Sequence, residues 1–95
     1  MVNLAVLIYT VCGAGIGTSV ILKSNVDRVL GELGIEAEVK AVSIAEAKKP
    51  DAPAQLILAT EEIVAEFDSN RSEVVPIKSI FDLAELQEKL QRSLG

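Results

Sequence analysis

The sequence predicts an α/β fold, a single-domain three-layer sandwich in which helices cover both faces of a four-stranded parallel sheet of strand order 2-1-3-4. A continuously apolar run, Leu4–Val11, and a mostly apolar one, Ala54–Ala59, have the composition of strands buried on both faces. Two other segments have the marks of sheet edges. Ile35, Ala37, Val39 and Ala41 alternate with Glu36, Glu38 and Lys40, and Val74–Ile77 contains Pro76, which has no N–H to give to a ladder. Apolar residues at helical spacing separate these strands, so strands pair in parallel through right-handed crossovers. A chain of 95 residues, 49% of them hydrophobic, supports one modest core, and residues 1–95 are expected to form one domain.

Each element has a local cause. After the first strand, Leu22, Val26, Val29, Leu30 and Leu33 recur at helical spacing between Lys23, Asp27 and Arg28, and Gly34 is placed to end the helix in a left-handed conformation. Ser43 is expected to cap a short helical turn ending at Ala47, and Lys48–Pro53 reads as a surface loop because proline interrupts pairing. Following the third strand, Thr60 or Glu61 opens a helix to Phe67, and Asp68–Ser72 is a polar turn. Asp82 with Glu85 makes a capping-box variant, and Leu83, Leu86, Leu90 and Leu94 line one face of the closing helix. In this strand order the chain reverses direction between strands one and three. The ligand crevice of an open α/β sheet lies at the carboxyl ends of those two strands, so Cys12 and Thr60 are expected to face each other.

Composition removes most chemistries. With no histidine there is no Ser-His-Asp or Cys-His pair and no His-ligated zinc, and one cysteine makes neither an intramolecular disulfide nor a thiolate cluster. Neither a metal nor a cofactor is expected. A lone thiol fits a reducing cytosol. A net charge of -5 with nine scattered Lys and Arg opposes nucleic-acid binding. Leu4–Val11 is far short of the roughly 20 apolar residues that span a bilayer, and no basic segment precedes it to make a secretory signal, so no direct membrane insertion is expected.

The chemistry concentrates in Cys12-Gly13-Ala14-Gly15-Ile16-Gly17-Thr18-Ser19, between a buried strand and a helix N-terminus. The alternating glycines allow turns with positive φ and let amide N–H groups converge into an anion nest, at which the helix dipole points its positive end. The same field is expected to favour thiolate at Cys12, activating the nucleophile with the groups that would hold a phosphate. Thr18 and Ser19 add hydroxyls suited to helix capping or to phosphate contact. Glu61 and Glu62 suit a helix start, but a carboxylate approaching Cys12 would raise the thiol and oppose activation. A plainer reading makes Cys12 a small buried residue beside glycines that permit tight packing.

Other loop motifs fail on residue type. A Walker loop needs Gly-Lys-Ser/Thr, whereas Gly17 is followed directly by Thr18. The dinucleotide fingerprint wants glycine or alanine where Thr18 stands and requires no cysteine. A cysteine phosphatase loop places arginine six residues after the nucleophile, again at Thr18, so the bidentate phosphate clamp is missing.

These residues resemble the cytosolic IIB components of the bacterial phosphoenolpyruvate-dependent sugar phosphotransferase system, in the ascorbate/galactitol superfamily and nearest the ascorbate type. The likeness rests on the strand followed by Cys12-Gly13-Ala14-Gly15-Ile16-Gly17-Thr18-Ser19, on Lys23, and on the run Ala54–Thr60, the strand Val74–Ile77 and the helix from Asp82 in the same order. The resemblance implies that Cys12 accepts a phosphoryl group from phosphohistidine of a IIA protein. It implies further that Cys12 passes this group to a sugar, L-ascorbate or a related polyol, held by the membrane IIC transporter to which the cytoplasmic protein docks. Gly13, Ala14, Gly15, Ile16, Gly17, Thr18 and Ser19 would then form the phosphate-binding loop, with Thr60 as a neighbour. Two alternatives stay open on the same fold: a cysteine-dependent phosphatase-like domain and a non-enzymatic anion-binding regulatory domain.

Overall fold

Four strands, β1 (Val6–Val11), β2 (Ala37–Ala41), β3 (Leu56–Thr60) and β4 (Glu73–Ile77), form one parallel sheet of order β2-β1-β3-β4 in the computed structural model, which describes residues 6–49, 53–67 and 72–94. Helices α1 (Ile16–Leu33), α2 (Ile44–Ala47) and α3 (Leu83–Leu94) and a 3-10 helix (Glu61–Phe67) connect and flank them. Fold class and strand order are those the sequence predicts.

Strand alternation divides the core into two layers. On one side Ile8, Cys12, Leu56, Leu58, Val75 and Ile77 pack with Leu22, Val26 and Val29 of α1 and with Leu86 and Leu90 of α3. On the other, Tyr9, Val11, Ile57 and Ala59 pack with Ala47 of α2 and with Ile63 and Phe67 of the 3-10 helix. Covering on both faces is why β1 and β3 read as continuous apolar runs, since neither has a wet side to alternate with. The edge strands differ. In β2 only Val39 is fully buried, and β4 carries Pro76 opposite Ala59.

Helix ends follow their sequence signals. Gly34 adopts φ 72, ψ 26 and closes α1 with its N–H on the Gly31 and Leu30 carbonyls. Ser43 Oγ accepts the Glu46 N–H at 3.1 Å and opens α2. The segment after β3 winds as a 3-10 helix, a distinction that a residue period counted over so short a stretch does not make. Leu4 and Ala5 of the first apolar run, and most of the loop 50–52 and turn 68–71, lie outside the described residues.

The capping box at α3 forms by half. Asp82 Oδ1 accepts the Glu85 N–H at 3.1 Å, but the Glu85 carboxylate turns away to accept the N–H groups of Lys78 at 2.8 Å and Ser79 at 3.1 Å. Lys89 pairs with it at 2.8 Å and also donates to the Pro76 carbonyl. Glu85 thus ties the β4–α3 turn to the helix. Burial alone would push its carboxyl up, yet the hydrogen bonds from Lys89, Lys78 and Ser79 and the charge on Lys89 outweigh burial and hold it below the usual carboxylate range.

Because its folded value is depressed, Glu85 contributes stability that is present above the unfolded carboxylate value and is lost as pH falls through the folded one. Replacing it, Glu85→Ala, is expected to cost about 1–3 kcal/mol at neutral pH in urea unfolding. The gap to the wild type should narrow as the melts are repeated toward about pH 3; a gap that widens would show that the carboxylate is not the stabilising form.

Candidate functional site

The site begins where β1 and β3 end. Their register pairs Val11 with Ala59, which sets the chain after Val11 beside Thr60. Here the Gly13 N–H donates to Thr60 Oγ1 at 3.0 Å, and the same hydroxyl donates to Glu62 Oε2 at 2.9 Å. The loop after the first strand therefore meets Thr60, as the strand order predicts, through the amide next to Cys12.

The three glycines do three different things. Gly13 needs its missing Cβ, because a methyl there would lie 2.5 Å from Glu62 Oε2 and 3.1 Å from Ile63 Cγ2. Gly15 needs its backbone freedom: it has φ 122, donates to the Cys12 carbonyl at 3.2 Å and is the N-cap of α1. Gly17 needs neither, being inside the first turn of α1 with open space around it. Positive φ at all three, as the spacing suggests, is therefore replaced by positive φ at Gly15 alone.

Neither hydroxyl of the loop caps the helix. No side chain bonds at the Gly15 cap, and Ser19 is fully buried with Oγ donating to the Ile16 carbonyl at 2.8 Å. Its own carbonyl accepts from Thr10 Oγ1 at 3.0 Å, a buried bond that fixes the start of α1 against β1. Thr10 escapes notice in the sequence because it sits in an apolar run. Its signal is a hydroxyl two residues before the cysteine, on the face where only hydrocarbon would otherwise be expected. The amides of Ala14, Ile16, Gly17 and Thr18 donate to no acceptor among the described residues. Gly13 through Gly17 are exposed, while Thr18 is partly buried.

Cys12 itself lies under this loop, 4% exposed. Burial, and secondarily the Glu62 carboxylate, push its thiol up to about 11. The thiolate expected from the loop field is thus reversed in the resting chain. Magnitudes explain the outcome: a helix terminus is worth about 0.3–1 kcal/mol, less than one pH unit, whereas burial moves a titration by as much as 3–5 units when complete, about 4 kcal/mol or more. Among the described residues no group of three or more Cys, Asp or Glu could hold a metal ion, and no helix is long and apolar enough to cross a membrane.

A family model described as "PTS system, Lactose/Cellobiose specific IIB subunit" matches residues 7–92. The chain belongs to this family. The IIB chain is 30% identical over 95 residues to the "Ascorbate-specific PTS system EIIB component" of Mycoplasma pneumoniae, a match covering 99% of this chain and 100% of the relative. To the protein of the same description in Escherichia coli O157:H7 it is 31% identical over 88 residues, covering 92% and 87%. Among solved structures, the lactose-specific IIB component domain of the phosphoenolpyruvate:carbohydrate phosphotransferase system from Streptococcus pneumoniae has the same fold, with a TM-score of 0.62 and 14% identity over 95% of both chains. Membership makes this IIB chain a component of a sugar phosphotransferase system.

The separate roles of the glycines predict opposite results from one substitution. Gly15→Ala forces an L-residue into an extended positive-φ conformation (φ 122, ψ 176) that is essentially glycine-only, and is expected to destabilise by about 1–3 kcal/mol in urea unfolding. Gly17→Ala, in open helix, should be neutral or stabilise by as much as about 1 kcal/mol. Equal losses at the two positions would refute the assignment.

Proposed function

We propose that this IIB chain, acting as one domain over residues 1–95, carries phosphoryl groups on Cys12 from phosphohistidine of a IIA protein to a sugar held by a membrane IIC transporter. The observation that carries this reading is Cys12 at the carboxyl end of β1, beneath a loop whose helix-opening amides have no acceptor among the described residues. Those amides suit the equatorial oxygens of a loose phosphoryl transition state, in which catalysis is chiefly positioning and charge stabilisation. Gly13–Ser19 would be the phosphate-binding loop, mostly through backbone, since the Ser19 hydroxyl is turned inward.

The transfer balances without another reactant. In the first step the P–N bond of the donor breaks and the S–P bond of Cys12 forms, and the thiol proton ends on the released imidazole. The second step breaks S–P, forms O–P on a sugar hydroxyl and returns that hydroxyl's proton to sulfur. A thiol of high pKa is a poor leaving group, so burial that slows loss of phosphoryl to water suits a carrier. Ile16 and Val20, about half exposed at the start of α1, offer apolar contact to partners beside the loop. Relatives described as ascorbate-specific support L-ascorbate or a related polyol as the sugar, and the role sets the chain in the cytoplasm against its transporter.

Mixing the protein with a phosphorylated IIA donor and weighing it intact is expected to reveal one phosphoryl adduct, absent in Cys12→Ser. No adduct with any donor would sink the carrier reading, and sustained turnover of a small aryl phosphate would replace it with a phosphatase.

A further inference from the structure

Glu62 stands beside the loop that follows Cys12, against Thr60 and Gly13. Its Oε2 accepts the Thr60 hydroxyl proton and lies over Gly13, so close that a methyl on Gly13 would meet it at 2.5 Å. Thr60 Oγ1 has a single proton. While it accepts the Gly13 N–H, it can donate to Glu62 or to a phosphoryl oxygen, not to both. Glu62 is also the one charge acting on the Cys12 thiol among the described residues. No Lys or Arg pairs with Glu62 among the described residues, so the Thr60 tether is what holds an otherwise exposed side chain in place.

We propose that the Glu62 carboxylate is a displaceable occupant of the phosphoryl position: in the unphosphorylated chain it holds the Thr60 hydroxyl and the space over Gly13, and it yields both when Cys12 carries a phosphoryl group. The inference rests on Cys12 being the residue phosphorylated. A carboxylate and a phosphoryl dianion drawn to the same Thr60 hydroxyl repel each other, so one leaves when the other arrives. Glu62 thereby acts as a positioning residue in two ways. It adds to burial in holding the thiol of the unphosphorylated chain protonated, and it releases a hydroxyl donor to the phosphoryl oxygens at the moment of transfer. Side-chain rotation alone suffices, because the 3-10 helix that carries Glu62 is anchored separately by buried Ile63 and Phe67.

The test is Glu62→Gln, with Glu61→Gln as control and urea unfolding to confirm that both fold. Iodoacetamide alkylation of Cys12 is followed against pH, and the phosphoryl adduct is weighed after mixing with a phosphorylated IIA donor. In Glu62→Gln the alkylation midpoint should fall by less than about one pH unit, giving about two- to threefold faster reaction below it because a thiolate of lower pKa is also a weaker nucleophile, and the adduct level at fixed donor should rise. Glu61→Gln should leave both unchanged. Burial persists in the variant, so the midpoint should remain above that of an ordinary thiol at about 8.5. A Glu62→Gln profile superimposed on the wild type would overturn the inference even if Cys12 is phosphorylated in both. A shifted profile with no adduct in any variant would instead overturn the carrier reading and the displacement with it. Should glutamine disturb the turn, Glu62→Ala decides by the same readings.

Discussion

The Thr60 hydroxyl is the joint on which the site depends. Parallel pairing of β1 and β3 delivers two strand ends side by side, but the pairing stops at Val11 and Ala59, and beyond Val11 the chain is loop. One hydroxyl extends the connection by a residue, taking the Gly13 amide at 3.0 Å and giving its proton to Glu62 at 2.9 Å. It therefore fixes the direction in which the chain leaves β1, and with it the entry of α1. On the other side of the loop the buried bond from Thr10 to the Ser19 carbonyl makes the matching attachment. Between these attachments the amides of Ala14, Ile16, Gly17 and Thr18 have no acceptor among the described residues.

Three fields compete at the cysteine, and their sizes decide its resting state. The helix terminus and loop amides draw the proton off; burial and the Glu62 charge keep it on. Burial wins because it acts on the whole solvation of the anion, whereas a helix end contributes only the partial charges of its first turn. The geometry leaves the loop exposed and the thiol covered. That division would suit the proposed carrier, for a docked donor would exclude water and bring the phosphorus to the sulfur at once.

Much of this was legible in the chain. Strand order followed from the contrast between the doubly apolar runs and the segments carrying Glu36, Glu38, Lys40 and Pro76, because burial on one face or two leaves a mark at every second residue. Ends of helices were equally readable at Gly34, Ser43 and Asp82, where one residue type answers one backbone need. Less legible was anything requiring three dimensions. The loop glycines are identical as letters, yet one makes space, one adopts a positive-φ backbone and one does neither. Glu85 satisfied a local pattern and then spent its carboxylate on the preceding turn. The thiol's resting state turned on the depth of Cys12 and on the carboxylate of Glu62, far away in sequence, and neither has a local signature.

Charged residues on β2 and the proline of β4 acquire a further meaning under the proposed carrier role, in which each partner would have to be released. Both borders of a parallel sheet present unsatisfied backbone groups, and either could recruit another strand, from a second copy or from a partner's own edge. Glu38 and Lys40 on one border and Pro76 on the other make such zippering unfavourable. Adhesion is thus discouraged along the flanks, so the proposed encounters through the end of the sheet that carries Cys12 would stay brief.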